Sequence, residues 1–140
     1  MRIMVADGQG GGIGKHIIAK LRACLPPETE IIALGTNAIA TSAMLKAGAN
    51  DGATGENAFV VCAPQVDLII GTVDMVMADA MLGEVTPSIA AAIAKSPAKK
   101  ILISLNRSHV WVAGTKEEPL PHQLNEIVNH ILEMRNKKEE

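Results

Sequence analysis

Glycines crowd one short stretch of this chain, at positions 8, 10, 11, 12 and 14. A short apolar run over residues 3–6 precedes them, and apolar residues at helical spacing begin at Ile13. A strand that leads through glycines into a helix presents free backbone amides to an anion, and glycine lacks the Cβ that would keep a phosphate away. The pattern therefore predicts a phosphate site on consecutive residues: Gly8, Gln9, Gly10, Gly11, Gly12, Ile13 and Gly14.

Polar residues also follow three later apolar runs of the chain. Thr36 and Asn37 come after the run 30–34, Thr72 ends the run 67–72, and Arg107 follows the run 101–105. Ligands of open α/β sheets bind beyond the carboxyl ends of the strands, so we expect these side chains to join the site. Arg107 is the best cation for a phosphate or carboxylate, because its guanidinium can donate two parallel hydrogen bonds. The alternative for Arg107 is a solvent-exposed turn residue.

One acidic residue, Asp7, stands directly before the glycines. A carboxylate at this position repels a phosphate, which makes it unusual in a phosphate site. We expect it to accept hydrogen bonds from loop amides and so to shape the turn, and a role as an acid or base is the alternative. The sequence assigns no catalytic residue and no reaction.

The spacing of the glycines decides which known loop they resemble. The plain dinucleotide fingerprint Gly-x-Gly-x-x-Gly fails in both registers, because its third glycine would fall on Ile13 or Lys15. The pattern Gly-x-x-x-Gly-x-Gly fits Gly8, Gly12 and Gly14, and it resembles the cofactor loop of the short-chain dehydrogenases and reductases. That resemblance implies NAD(P) or another adenine nucleotide as the cofactor.

Two departures limit what the resemblance implies. Rossmann domains that bind NAD usually place an acid at the end of the second strand to hold the ribose, whereas this chain has Gly35, Thr36 and Asn37 there. The chain also contains no Tyr, so the tyrosine-dependent mechanism of the short-chain enzymes is excluded.

Two other functions remain open at this stage. Residues 11–16 resemble the end of an ATP-binding P-loop, although His16 replaces the Ser or Thr that should hold Mg²⁺ and Gln9 replaces the first glycine. A small P-loop-like enzyme is therefore one alternative. A non-catalytic scaffold or regulatory subunit is the other, and in that case the glycines only make a tight turn between strand and helix.

Apolar runs and helical periodicity alternate along the chain, which predicts an α/β fold. Strands are expected over 2–6, 30–34, 50–54, 67–72, 101–105 and 110–113, and the short link before the last strand favours antiparallel pairing there. Helices are expected over 13–25, 38–47, 55–63 and 87–95, followed by an amphipathic C-terminal helix. The expected N-caps are Thr36 or Asn37 for the second helix, Thr54 for the third and Thr86 for the fourth. We therefore expect a single three-layer Rossmann-like domain over residues 1–140, with a mostly parallel sheet of five or six strands and helices on both faces.

The chain as a whole resembles a family of short bacterial proteins that carry the same Gly-Gln-Gly-Gly-Gly-Ile-Gly loop. They share the stretch Gly-Glu-Val-Thr-Pro, here residues 83–87, and an Ile-rich strand that runs into Asn106 and Arg107. This resemblance implies a Rossmann-like domain of unassigned function and says nothing about a substrate.

Composition limits the partners and the location of the protein. A net charge of −2, with one Phe, one Trp and no Tyr, leaves neither the basic surface nor the stacking platforms of nucleic-acid-binding proteins. No apolar stretch is long enough to span a membrane, and Cys24 and Cys62 fit no metal-ligand spacing, so we expect a cytoplasmic protein without a metal site. The apolar surplus between Met75 and Leu82 and in the C-terminal helix predicts a homo-oligomer, most simply a dimer. For the Met-rich stretch, a lid or plain core packing is the alternative.

Overall fold

A computed structural model describes residues 1–105 and 109–139 of the chain. Its centre is one sheet of five strands in the order β3-β2-β1-β4-β5. Every neighbouring pair of strands is parallel, which confirms the predicted α/β architecture. The strands are β1 (Arg2–Asp7), β2 (Glu30–Gly35), β3 (Asp51–Thr54), β4 (Leu68–Thr72) and β5 (Lys99–Ile103).

Helices follow the strands as the periodicity predicts. They are α1 (Gly12–Cys24), α2 (Ala38–Lys46), α3 (Glu56–Cys62), α4 (Pro87–Lys95) and α5 (Leu120–Glu139). Two of the predicted N-caps are confirmed, because the Asn37 side chain accepts a hydrogen bond from the amide of Ala40 at 2.9 Å and the Thr86 hydroxyl accepts one from Ile89 at 3.1 Å. Pro87 then begins α4, where its missing amide costs no hydrogen bond.

The helices form a layer on each face of the sheet. Helices α1, α2 and α5 contribute to one buried apolar cluster, in which Ile17, Met44 and Ile131 are fully buried. The other face packs against α3 and α4 through Phe59 and Ile93. The apolar stripe of α5 is thus used to cover the sheet of its own chain.

The strand order places a topological switch point at β1 and β4. The chain moves outward from β1 through β2 to β3, and then returns to pair β4 with the other side of β1. Connections that leave a sheet in opposite directions open a crevice beyond the strand ends. Val5 lies opposite Ile70, so the ends of the two strands bring Asp7 and Thr72 to this crevice.

The prediction of an antiparallel sixth strand over 110–113 is wrong. That segment has no strand structure, and the carbonyl of Val112 instead accepts hydrogen bonds from the amide and the hydroxyl of Thr115 at 3.4 and 2.7 Å. Trp111 is 81% exposed, so the apolar side chains of the segment do not reach the core. A short apolar run without a buried face forms a turn here, and β5 remains the edge of the sheet.

Throughout residues 1–105 and 109–139, every helix is too short or too polar to cross a membrane.

Candidate functional site

The glycine loop leads from the end of β1 directly into α1. The amide of Gly11 donates to the carbonyl of Gly8 at 3.0 Å, and Gly11 precedes α1 in a left-handed conformation with φ +73°. Gln9 also has a positive φ of 51°. The chain therefore reverses within a few residues, and the N-terminus of α1 stands beyond the carboxyl end of β1.

The carboxylate of Asp7 lies beneath this turn. Its Oδ1 accepts the amide of Gly8 at 2.8 Å and its Oδ2 accepts the amide of Gly14 at 2.7 Å. Burial raises the pKa of Asp7, while the hydrogen bonds from the amides of Gly14 and Gly8 lower it. The expectation that Asp7 shapes the loop is confirmed.

Three of the loop glycines are required by close packing. A Cβ on Gly8 would lie 2.6 Å from the hydroxyl oxygen of Thr36, and one on Gly14 would lie 2.5 Å from the sulfur of Met44. A Cβ on Gly11 would lie 2.8 Å from the backbone of Ala40, at a position whose positive φ already favours glycine. Backbone contact and a positive φ account for a glycine at position 11, and close side-chain packing favours glycine at positions 8 and 14.

The other two loop glycines have no such explanation. A Cβ on Gly10 or Gly12 would meet nothing within 4 Å, and neither residue has a positive φ. Both residues are exposed. Among the residues that the structure describes, their amides have no hydrogen-bond partner. Two exposed residues whose amides have no partner among the described residues therefore stand at the start of α1.

A distant carboxylate, that of Glu84, reaches the loop and the end of β2. Its Oε1 accepts hydrogen bonds from the amide of Gln9 at 2.9 Å, the hydroxyl of Thr36 at 2.8 Å and the side-chain amide of Asn37 at 2.7 Å. The amide of Gln9 first of all, and then Thr36 and Asn37, lower the pKa of Glu84 against the opposing effect of burial. The carboxylate is therefore charged at neutral pH.

Glu84 belongs to a tightly coiled segment, residues 77–86, which we call the strap. Asp79, Met81 and Leu82 all have positive φ, between 57° and 68°, a conformation that costs roughly 1–2 kcal/mol for each such residue. The fully buried Val85 holds the segment in place, because its amide donates to Ala80 at 3.1 Å and its carbonyl accepts from Asp79 at 2.7 Å. Hydrogen bonds within the strap and the contact of Glu84 with Gln9 therefore hold the strap beside the loop.

The other residues predicted for the site lie in four different environments. Thr36 and Asn37 lie beside the loop, and the Asn37 side chain donates to the carbonyl of Gln9 at 3.0 Å. Thr72 is buried at the end of β4, and its hydroxyl has no hydrogen-bond partner in the described parts of the chain. Ile13 packs against the apolar cluster beneath α1. Arg107 lies outside the described residues.

Basic side chains stand to one side of this arrangement. Lys15, on the first turn of α1, lines a groove of about 700 Å³ between α1 and α2, together with His16 and Lys46. In residues 1–105 and 109–139, no group of three or more His, Cys, Asp or Glu side chains could hold a metal ion.

A comparison with known protein families finds a match over almost the whole chain. Residues 2–136 match the family model DUF3842, a domain of unknown function. The chain belongs to this family. No curated protein and no solved structure matches it. Membership names no ligand and no reaction, so the function must be argued from the site itself.

Sequence reasoning missed Glu84 as a residue of the site. The stretch Gly-Glu-Val-Thr-Pro that contains it is part of the family resemblance and predicts no site residue. A Gly and an N-cap Thr on either side of Glu84 and Val85 mark a turn before a helix, but they do not say where the turn packs. The contact between Glu84 and Thr36 joins residues that are 48 positions apart.

Proposed function

We propose that this protein binds a nucleotide, NAD(P) or another adenine nucleotide, with its phosphates on the free amides of Gly10 and Gly12. One observation carries the proposal: both positions are glycine although neither packing nor backbone conformation requires a glycine there. Glycine is the residue that lets a ligand approach the backbone closely, because it has no Cβ, and such an approach accounts for glycines at these two positions.

The position of the two amides also supports a phosphate ligand. They lie at the N-terminus of α1, whose dipole favours an anion, and at the switch point where ligands of such sheets bind. The buried hydroxyl of Thr72, at the end of the neighbouring strand, has no partner among residues 1–105 and 109–139, and a ligand group that reached it would satisfy it. Asp7 opposes an anion, but its two oxygens already accept the amides of Gly8 and Gly14.

The P-loop alternative fits the geometry less well. A P-loop presents consecutive amides to the phosphates, whereas here the amide of Gly14 is turned to Asp7 and the amide of Gln9 to Glu84. The scaffold alternative explains Gly8, Gly11 and Gly14, but it leaves Gly10 and Gly12 without a reason.

Calorimetric titration with ADP, ATP and NAD⁺ tests the proposal, with Gly12→Val as the critical variant. A Cβ at Gly12 meets nothing within 4 Å, so we expect the variant to fold while its side chain blocks the amide. Ala94→Val is the matched control, because Ala94 is an exposed residue near the C-terminal end of a different helix, α4. We expect a loss of affinity of about tenfold or more for Gly12→Val, equal to roughly 1.4 kcal/mol or more, and none for the control.

A thermal-shift assay gives an independent readout. A ligand at about 100 times its dissociation constant stabilises the folded state by about 2.7 kcal/mol. If no nucleotide at millimolar concentration shifts the unfolding of the wild-type protein, or if Gly12→Val binds as well as wild type, the proposal is wrong and the loop is only a turn.

A homo-oligomer, most simply a dimer, is part of the proposal, although its sequence argument now rests on fewer residues. Met75 is buried and the stripe of α5 packs on its own sheet, so neither is available to a partner. Leu82 is 100% exposed on the strap and Trp111 is 81% exposed, and an interface would cover them. Sedimentation velocity at several micromolar concentrations decides between a dimer and a monomer.

A cytoplasmic location belongs to the same proposal, and cell fractionation tests it.

A further inference from the structure

We infer that Glu84 supplies the ribose-binding carboxylate of this site, and that it selects an adenine nucleotide with a free 2′-hydroxyl over one with a 2′-phosphate. The inference rests on the proposed function and specifies its ligand. The strap, and not the end of β2, then supplies the acid that holds the ribose.

The geometry brings the carboxylate to the place where the sequence has no acid. Dinucleotide-binding domains hold the adenosine ribose with an acid at the end of the second strand. Here β2 ends at Gly35, and the next two residues, Thr36 and Asn37, both donate hydrogen bonds to Oε1 of Glu84. An acid from a segment far along the chain therefore stands at the end of β2.

The hydrogen bonds leave one carboxylate oxygen for a ligand. All three donors, from Gln9, Thr36 and Asn37, converge on Oε1. Among the described residues, Oε2 accepts no hydrogen bond. A ribose hydroxyl can donate to this oxygen, since a carboxylate accepts up to about four hydrogen bonds.

The charge of Glu84 determines which of the two nucleotides binds more tightly. Its pKa is lowered, so it is an anion at neutral pH, and Asp7 adds a second carboxyl group close to the loop. The groove cations Lys15 and Lys46 line the space between α1 and α2, and neither donates to Glu84. A 2′-phosphate would face a carboxylate without an intervening cation from the described residues, and the like charges would repel each other.

A purely structural latch is the competing explanation for Glu84, and Glu84→Gln separates the two. The glutamine keeps an Oε1 for the donors from Gln9, Thr36 and Asn37, so it preserves the position of the strap. It replaces Oε2 by a neutral amide group that can donate to a phosphate. Glu28→Gln is the matched control, because it removes the same charge from an exposed residue before β2, at the opposite end of the strand.

Isothermal titration with NAD⁺ and NADP⁺, and with ADP and 2′-deoxy-ADP, measures the selection. For wild type and Glu28→Gln we expect NAD⁺ to bind at least about tenfold more tightly than NADP⁺, and ADP more tightly than 2′-deoxy-ADP. For Glu84→Gln we expect the ratio for NAD⁺ and NADP⁺ to fall to about one. In about 1 M salt, where the Debye length is about 3 Å, the wild-type preference for NAD⁺ should shrink without any substitution.

The outcomes separate this inference from the proposed function. If none of the four nucleotides binds wild type, both are overturned. If they bind through Gly12 but wild type does not prefer NAD⁺, or Glu84→Gln keeps the wild-type ratio, only the role of Glu84 is overturned. If Glu84→Gln does not fold, the salt series on wild type decides, and a preference that does not change with salt rejects the role of the charge.

Discussion

The amide of Gly14 donates a 2.7 Å hydrogen bond to Oδ2 of Asp7, seven residues earlier in the chain. The other carboxylate oxygen accepts the amide of Gly8, so one side chain ties together both ends of the glycine loop. The cost of this arrangement is that a carboxylate must be buried at 4% exposure. The benefit is a loop in which the amides of Gly8 and Gly14 are satisfied while those of Gly10 and Gly12 have no partner among the described residues.

Replacing Asp7 by Asn should destabilise the protein by about 1–3 kcal/mol. Asparagine has one acceptor oxygen, so it can accept only one of the amides of Gly8 and Gly14, and its own NH₂ group would face the other. Urea denaturation measures the loss. Asp51→Asn, at an exposed residue of β3, is the control and should unfold at the wild-type midpoint.

The pH dependence of stability gives a second readout of the same variant. The pKa of Asp7 is raised above its ordinary value of 3.8, so the folded state binds this proton more tightly than the unfolded chain does. The contribution of Asp7 to stability therefore falls as the pH rises from 3.8 through the folded-state pKa, and stays lower above it. The stability difference between wild type and Asp7→Asn should change in this range, and a constant difference would contradict the raised pKa.

Glu84 should show the opposite pH dependence. Its pKa is lowered from the ordinary value of 4.5, so the folded state releases this proton more readily than the unfolded chain does. Its stabilisation is fully present above 4.5 and is lost as the pH falls through the folded-state pKa. Thermal unfolding of wild type and Glu84→Gln should converge in acid, and a gap that widens there would show that the charge does not hold the strap.

The loop glycines should respond differently to the same substitution. Gly11→Ala should cost about 1–3 kcal/mol, because its Cβ would meet the backbone of Ala40 at 2.8 Å and its φ is positive. Gly12→Ala should unfold close to the wild-type midpoint, since its Cβ meets nothing within 4 Å. Chemical denaturation compares the two variants, and equal losses would mean that the packing at Gly11 does not distinguish them.

Thr72→Val should raise stability while it lowers nucleotide affinity. The hydroxyl of Thr72 is buried without a partner in the described parts of the chain, and an unsatisfied buried group costs about 1–3 kcal/mol. Valine has nearly the same shape without the hydroxyl. A higher melting temperature and weaker binding are expected together, and a stabilised variant with unchanged binding would remove Thr72 from the site.

The purified protein should not reduce carbonyl compounds with NADH or NADPH. Hydride transfer to a carbonyl needs a proton donor of suitable pKa, and the chain has no Tyr. Asp7 is committed to the amides of Gly8 and Gly14, which leaves Asp74 and His109 as other candidates near strand ends. Turnover that disappears in Asp74→Asn or His109→Ala would contradict the expectation and identify the donor.

Local patterns were sufficient to predict most of the elements. Continuous apolar runs predicted β1 and β4, and the caps at Asn37 and Thr86 predicted where α2 and α4 begin. These features could be inferred because strand burial and helix capping depend on residues within a few positions of one another. The same applies to Asp7, whose partners Gly8 and Gly14 lie in the same loop.

The tertiary structure alone decided which residues meet across the sheet. The five loop glycines look alike in the sequence, but only three of them are closely packed in the structure. Thr36, Ala40 and Met44 approach Gly8, Gly11 and Gly14, and nothing approaches Gly10 or Gly12. Glu84 reached the end of β2 because the strap folds over the strand ends, and no local pattern encodes a contact across 48 residues. The run 110–113 has the composition of a strand but forms none, since a strand also needs a partner edge and a buried face.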